Sequence, residues 1–271
     1  MIGAQRKYNS RRKKCVRKQL LTPGPGSPLR EKVCEGLSKY WSPEQISNTL
    51  PKDMRICYST IYRAIKKKLI PREFAEKLRR YGKNRNHGSK AKGIAYDFSA
   101  VRSIASRPKS VNNRNRYGHW ELDTIVLRNE CGCHLATFVE RKSRLLLIRK
   151  IHNKKAVTMG DAIIAALGAL PQKLRKTLTV DRGLEFTDWQ RIEKELDVSV
   201  YFCDPYSPHQ RGTNENTYGL VRQFFPRRTI LPTITDDFVA SVQSFINHRP
   251  RKCLLWLSPS SNLFVALGLT I

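Results

Sequence analysis

The chain has 271 residues and a net charge of +29, from 51 Lys and Arg against 22 Asp and Glu, with a pI near 10.2. That length suits one main domain with a smaller module, and that charge calls for a polyanionic partner. The longest apolar run, AIIAALGAL at residues 162–170, is too short to span a bilayer, and seven scattered cysteines form no disulfide framework, so no membrane and a reducing cytoplasm are expected.

The charge is uneven. Residues 1–117 carry 30 basic and 7 acidic side chains, whereas the remainder carries 21 and 15. The first part reads as the electrostatic anchor and the second as the place for acidic chemistry. Residues 1–27 hold RKYNSRRKKCVRK and then TPGPGSP, a basic arm and a Pro/Gly hinge without apolar period. From Pro28 the pattern turns helical, with Leu29, Val33 and Leu37 spaced four apart. WSPEQISNTL starts a second helix with Ser42 as N-cap, Pro43 at the first helical position and Gln45 completing a capping box. Ser59 or Thr60 is expected to cap a third, whose apolar stripe is Ile61, Ile65 and Leu69 and whose outer face carries Arg63, Lys66 and Lys67. Residues 28–70 thus resemble a helix-turn-helix with a DNA-reading last helix; a small bundle with a solvated basic face has the same spacing.

Residues 71–111 read as a basic linker, and the main domain follows over residues 112–265. HWELDTIVL, HLATFVE and SRLLLIRKI form an antiparallel meander, after which helices and strands alternate, with TDWQRIEKELD expected as a helix capped by Thr187. The fold class is therefore α/β, a mixed sheet flanked by helices, preceded by a small all-α module. Cys131, Cys133 and His134 make a partial zinc pattern, but no second pair stands nearby and NECGC reads as a hairpin turn.

Three acids lie in surroundings suited to phosphate chemistry. Asp123 shares a strand face with His119 and Glu121 by period two. Asp181 ends the strand TLTV and is followed by Arg182 and Gly183, which frees it at the carboxyl end of the sheet. Glu215 lies in the first turn of a helix, with Gly219 and Arg222 on the same stripe; the glycine leaves room for a metal or phosphate, and Arg222 suits a phosphate contact. Each acid alone has a bland role as cap, turn residue or surface charge. Glu121 sits too far along the strand to share one ion with Asp123 and suits a supporting role, orienting His119, a water or a nearby basic side chain.

Through RPKSVNNRNRYGHWELD, FVERKSR, LRKTLTVDRGLEF, YFCDPYSPHQRGTNENTYGLVRQFFP and NHRPRK, the chain resembles the DDE transposases of the bacterial insertion sequence thirty family. The resemblance runs from about Arg107 to Phe264, and the spacing of the acids, 58 and then 34 positions apart, agrees with it, the second matching the family's 33 intervening residues. It implies a ribonuclease H-like, integrase-type core in which Asp123, Asp181 and Glu215 are catalytic and bind two divalent ions, Mg2+ or Mn2+, about 4 Å apart. It also implies cleavage and strand transfer on double-stranded DNA, at element ends and target, by a homo-oligomer in the bacterial cytoplasm at the nucleoid. Arg211, Arg222 and Arg249 are candidates for phosphate contacts, with structural ion pairing equally open. Leu122, Arg182, His209, Tyr218 and Ser258 depart from the family's usual residues without removing a ligand. The family's usual leading helix-turn-helix region has no counterpart in this sequence, so the alternative function is a truncated or repurposed DNA-binding protein without strand transfer.

Overall fold

The computed structural model describes residues 2–15, 20–22, 26–79, 98, 100–127, 132–205 and 207–268. They fall into two compact units, residues 1–81 and 82–271.

In the first unit, α1 (Ile2–Cys15) is a helix where the basic arm showed no apolar period. Helix α2 (Pro28–Ser38) is capped by the Ser27 hydroxyl, and α3 (Pro43–Thr49) carries the expected capping box, Ser42 Oγ accepting from the Gln45 amide and Gln45 Oε1 from that of Ser42. Helix α4 (Tyr58–Lys66) begins earlier than expected, with Cys57 at its N-cap and no side-chain cap; the Ser59 hydroxyl donates to Cys57 Sγ instead. Val33, Leu37, Ile46 and Ile61 close the core, while Tyr62, Arg63, Lys66 and Lys67 stay exposed. A short α5 (Arg72–Ala75) packs Ala75 into the same unit.

The second unit is a five-stranded sheet in the order β3-β2-β1-β4-β5. Strands β1 (His119–Val126), β2 (His134–Glu140) and β3 (Leu146–Ile151) are the antiparallel meander; β4 (Thr177–Val180) and β5 (Ser199–Phe202) add in parallel after α6 (Ala156–Gly168) and α7 (Trp189–Leu196). Then come α8 (Gly212–Phe224), α9 (Asp236–Asn247) and α10 (Pro259–Leu267). Period two along β1 sends Trp120 and Leu122 into the cluster shared with α6 and α7, and Ile125 into the opposite one, filled by Leu220, Val221 and Phe225 of α8 and by Val242 and Ile246 of α9. The face holding His119, Glu121 and Asp123 is therefore the one that α8 covers.

Two details differ from the sequence expectations. Asp188, not Thr187, precedes α7, because the Thr187 hydroxyl donates to the Leu184 carbonyl. Residues 100–111, read as part of a linker, pack on the sheet. Ser103 bridges to Phe202, and the buried Arg107 guanidinium donates to Thr179 Oγ1 at 2.8 Å and Asn112 Oδ1 at 2.6 Å. A basic composition hid these contacts, since a buried guanidinium with full partners looks in sequence like any solvated one. No helix among the described residues is long and apolar enough to cross a membrane.

Candidate active site

Parallel pairing of β1 with β4 sets His119 beside Thr177 and Glu121 beside Thr179. Continuing that register two residues brings Asp123 to Asp181, just beyond Val180. The meeting point is visible in one side chain: Arg211 places Nη1 3.2 Å from Asp123 Oδ2 and Nη2 2.8 Å from Asp181 Oδ2, and also donates from Nη1 to the Leu122 carbonyl at 3.1 Å. Both aspartates have a backbone donor as well, Thr124 N at 2.8 Å from Asp123 Oδ1 and Gly183 N at 3.1 Å from Asp181 Oδ1. A Cβ at residue 183 would lie 2.6 Å from Glu185 Oε2 and 3.0 Å from Asp181 Oδ1, so a side chain there displaces the Glu185 carboxylate.

Burial raises the Asp123 carboxyl above its ordinary value, and the charge of Asp181 adds to it, while Arg211 and the Thr124 amide pull the other way. Burial alone would lower the Arg211 guanidinium, but Asp123 and Asp181 outweigh it and raise it. Beside them burial pushes the Cys203 thiol up to about 11, which leaves no thiolate nucleophile at neutral pH.

Glu215 is exposed in the first turn of α8. Among the described residues no three His, Cys, Asp or Glu side chains gather into a metal-binding group, so the aspartates meet but Glu215 stands apart from them. Cys131 of the zinc pattern lies outside the described residues.

Glu121 is fully buried. It pairs with Arg141, and its Oε2 accepts the Asn214 amide of α8 at 2.9 Å, tying β1 to the turn that carries Glu215. Sequence reasoning anticipated a basic partner but not Arg141, which lies in FVERKSR just past β2. His119 Nδ1 sits 2.8 Å from Thr177 Oγ1, and burial, with the charges of Lys176, Arg141, Arg107 and Arg116, lowers its pKa from 6.5 to about 4. It is a neutral imidazole holding β1 to β4.

The arginine expectations divide. Arg211 grips the aspartates. Its position just ahead of α8 held a signal, since a cation at a helix amino end opposes the dipole and calls for acids nearby. Arg222 is spent on the Val126 carbonyl at 2.6 Å and on Tyr218, whose hydroxyl it reaches at 2.6 Å and over whose ring it lies. Arg249, open in sequence to a phosphate contact or to structural pairing, has an internal partner: it is 3% exposed and donates twice to Gln223 Oε1.

A mixed sheet whose adjacent parallel strands bring together an aspartate within β1 and another just past β4, with a helix amino end laid against them, defines a ribonuclease H-like core of integrase type. The integrase core domain family matches residues 113–208. The transposase of insertion sequence element IS4351 from Bacteroides fragilis is 34% identical over 261 residues, covering 95% of this chain and 78% of that protein. The transposase of IS1086 from Cupriavidus metallidurans is 35% identical over 232 residues, covering 82% and 68%. Transposase InsI for IS30C of Escherichia coli is 37% identical over 255 residues; the alignment takes in 90% of this chain and 66% of that relative's length. Among solved structures, the catalytic core of BIV integrase aligns with a TM-score of 0.43 at 16% identity, over 55% of this chain and 95% of that one. The chain belongs to the family of these insertion-sequence transposases, the DDE transposases of the insertion sequence thirty family.

Two predictions follow from the buried groups. Because the folded pKa of His119 is depressed, its contribution is present above pH 6.5 and lost as pH falls toward 4. Urea denaturation across that window should show a loss from this group of up to about 3 kcal/mol, which His119→Asn, keeping a nitrogen near Nδ1, should remove. Glu121→Gln leaves Arg141 buried and uncompensated, so it should destabilise by about 3 kcal/mol, and a further Arg141→Met should restore part of the loss.

Proposed function

We propose that this chain is a DNA transposase that cleaves element ends and transfers them to target DNA, with Asp123, Asp181 and Glu215 as its catalytic carboxylates. The observation that carries this is the Arg211 guanidinium between two carboxylates of adjacent strands, a cation already seated where a divalent ion would sit. Oxygen-only donors suit a hard ion such as Mg2+ or Mn2+, so the residues fit the pair of ions that the family resemblance implies. When bound, such ions stabilise charge on the attacking and leaving oxygens of a phosphodiester.

The protein's own part is positioning. Asp123 and Asp181 hold one charge centre where the middle of β1 meets the end of β4. Glu215 follows Arg211 by four residues on the same chain segment, so release of Arg211 frees the amino end of α8 to bring Glu215 in. Glu121, through the Asn214 amide, limits that travel and keeps the helix on the sheet. Glu121 and His119 are thus positioning residues. Freed from the aspartates, Arg211 is placed for the scissile phosphate, in accord with its charge.

In the first unit, α3 and α4 act as a helix-turn-helix whose exposed Arg63, Lys66 and Lys67 meet the DNA backbone. The chain acts at the bacterial nucleoid as a homo-oligomer that pairs DNA ends.

The test is magnesium-dependent nicking and joining of an element end by the full chain. Asp123→Ala, Asp181→Ala and Glu215→Ala should each lower the rate by about a thousandfold or more, the scale of losing an electrostatic anchor of a transition state, with DNA affinity retained. Activity that survives all three substitutions would refute the assignment, and DNA binding without any activity in the unaltered chain would favour a DNA-binding protein that keeps only the fold.

A further inference from the structure

At the amino end of α8, on the flank away from Glu215, lies a cavity of about 210 Å³ lined by Arg114, Arg144, Arg251, Thr213, Asn216 and Cys253 among others. No lining residue is acidic. Arg144 Nη1 and Arg114 Nη2 both donate to the Thr213 hydroxyl, at 2.8 and 3.4 Å, so one neutral oxygen is shared by two cations. Arg251 adds a third, steadied by the Ile246 carbonyl at 3.0 Å.

Three guanidinium groups around one hollow repel one another. Partial burial against the cavity wall, and then the charges of Arg144 and Arg141, hold the otherwise exposed Arg114 below its ordinary pKa against the pull of Glu121. Both Arg114 (φ 53°) and Arg144 (φ 62°) adopt left-handed backbone, which a long side chain rarely takes without a compensating contact. The side-chain hydrogen bonds that both arginines make to the cavity wall go to Thr213. The pattern is the reverse of the aspartate pair: there two anions share a cation, whereas here three cations line one cavity whose wall holds no acidic side chain.

We propose that this cavity is a phosphate-binding site that takes a non-scissile phosphodiester of the DNA substrate. Planar donors in this number match phosphate oxygens, and the helix amino end favours the same charge. Helical spacing sets Thr213, Asn216 and Thr217 on one flank of α8 and Glu215, Gly219 and Arg222 on another, so a strand crossing the first turn of the helix meets both. The site therefore anchors the backbone beside the phosphate that reacts. This inference rests on the transposase reading.

Cys253, an exposed free thiol in the cavity wall, provides the readout. In the full chain, its alkylation by iodoacetamide is followed by mass spectrometry, with a short DNA duplex, with inorganic phosphate, or with neither. Each ligand should slow the reaction about tenfold at ten times its Kd, by simple occupancy. Arg114→Gln, at an exposed side chain, should abolish most of that protection, with Cys203 staying unreactive as proof of an intact fold. Duplex that binds in a gel-shift assay yet leaves Cys253 unprotected would overturn the inference while sparing the transposase reading. Protection by phosphate but not by duplex would mark a site for free anions and overturn the DNA assignment. Protection undiminished in Arg114→Gln would place the ligand elsewhere, and a chain that binds no duplex would fail on both counts.

Discussion

Two carboxylates brought side by side need a cation between them, and the second unit is arranged around that need. The register of β1 on β4 pairs residues 58 apart in sequence, His119 with Thr177 for example, and Asp123 and Asp181 are separated by the same 58. They are cross-strand neighbours by construction, on strands spaced about 5 Å apart. Unneutralised, such a pair would force one acid to hold its proton. Arg211 resolves the conflict and, through the Leu122 carbonyl, pins the entry to α8 against the sheet.

That arrangement needs rigid backing, and the protein supplies it with buried charge. Glu121 joins Arg141 on one side and the α8 backbone on the other, fixing where α8 starts. Glu140, also buried, accepts from the amides of Gly118, His119, Lys142 and Ser143 and from the Ser143 hydroxyl, which holds the start of β1 to the end of β2. Burial still raises its carboxyl above the ordinary value. Buried ionic groups of this kind return little net stability against apolar replacements, and what they give here is a defined position for β1, β2 and α8. The arginine cavity lies next to this framework. It shares the first turn of α8 and so is held in fixed relation to Glu215.

What the sequence disclosed followed local rules. The capping box of α3 needs only Ser42 and Gln45, and the strands β1 to β5 carry their own alternation or continuous apolar runs. Helix α9 had equally plain signals, Thr235 as N-cap and Val239, Val242 and Ile246 on one stripe, and was legible though unread. The side-chain roles were not local. Whether Arg249 faces phosphate or an internal Gln223, two roles the sequence leaves equally open, depends on which helix packs over it, and composition is blind to that. Ser59 and Thr187 failed as caps for a related reason. Each found a nearer partner, Cys57 Sγ and the Leu184 carbonyl, so the helices began one or two residues from the hydroxyl. The two aspartates were visible in the sequence, one on the face of a strand and one at a strand end, whereas the partnership of Arg211 with both of them depends on how the entry to α8 meets the sheet.

The central claim is that Arg211 occupies the cation position of the Asp123 and Asp181 pair. Manganese binding to the full chain, followed by electron paramagnetic resonance, tests it directly. Arg211→Gln should bind Mn2+ more tightly than the unaltered chain, because the internal competitor is gone, and adding Asp123→Asn should abolish that gain. Binding that is unchanged or weaker in Arg211→Gln, or a gain that survives Asp123→Asn, would contradict the account.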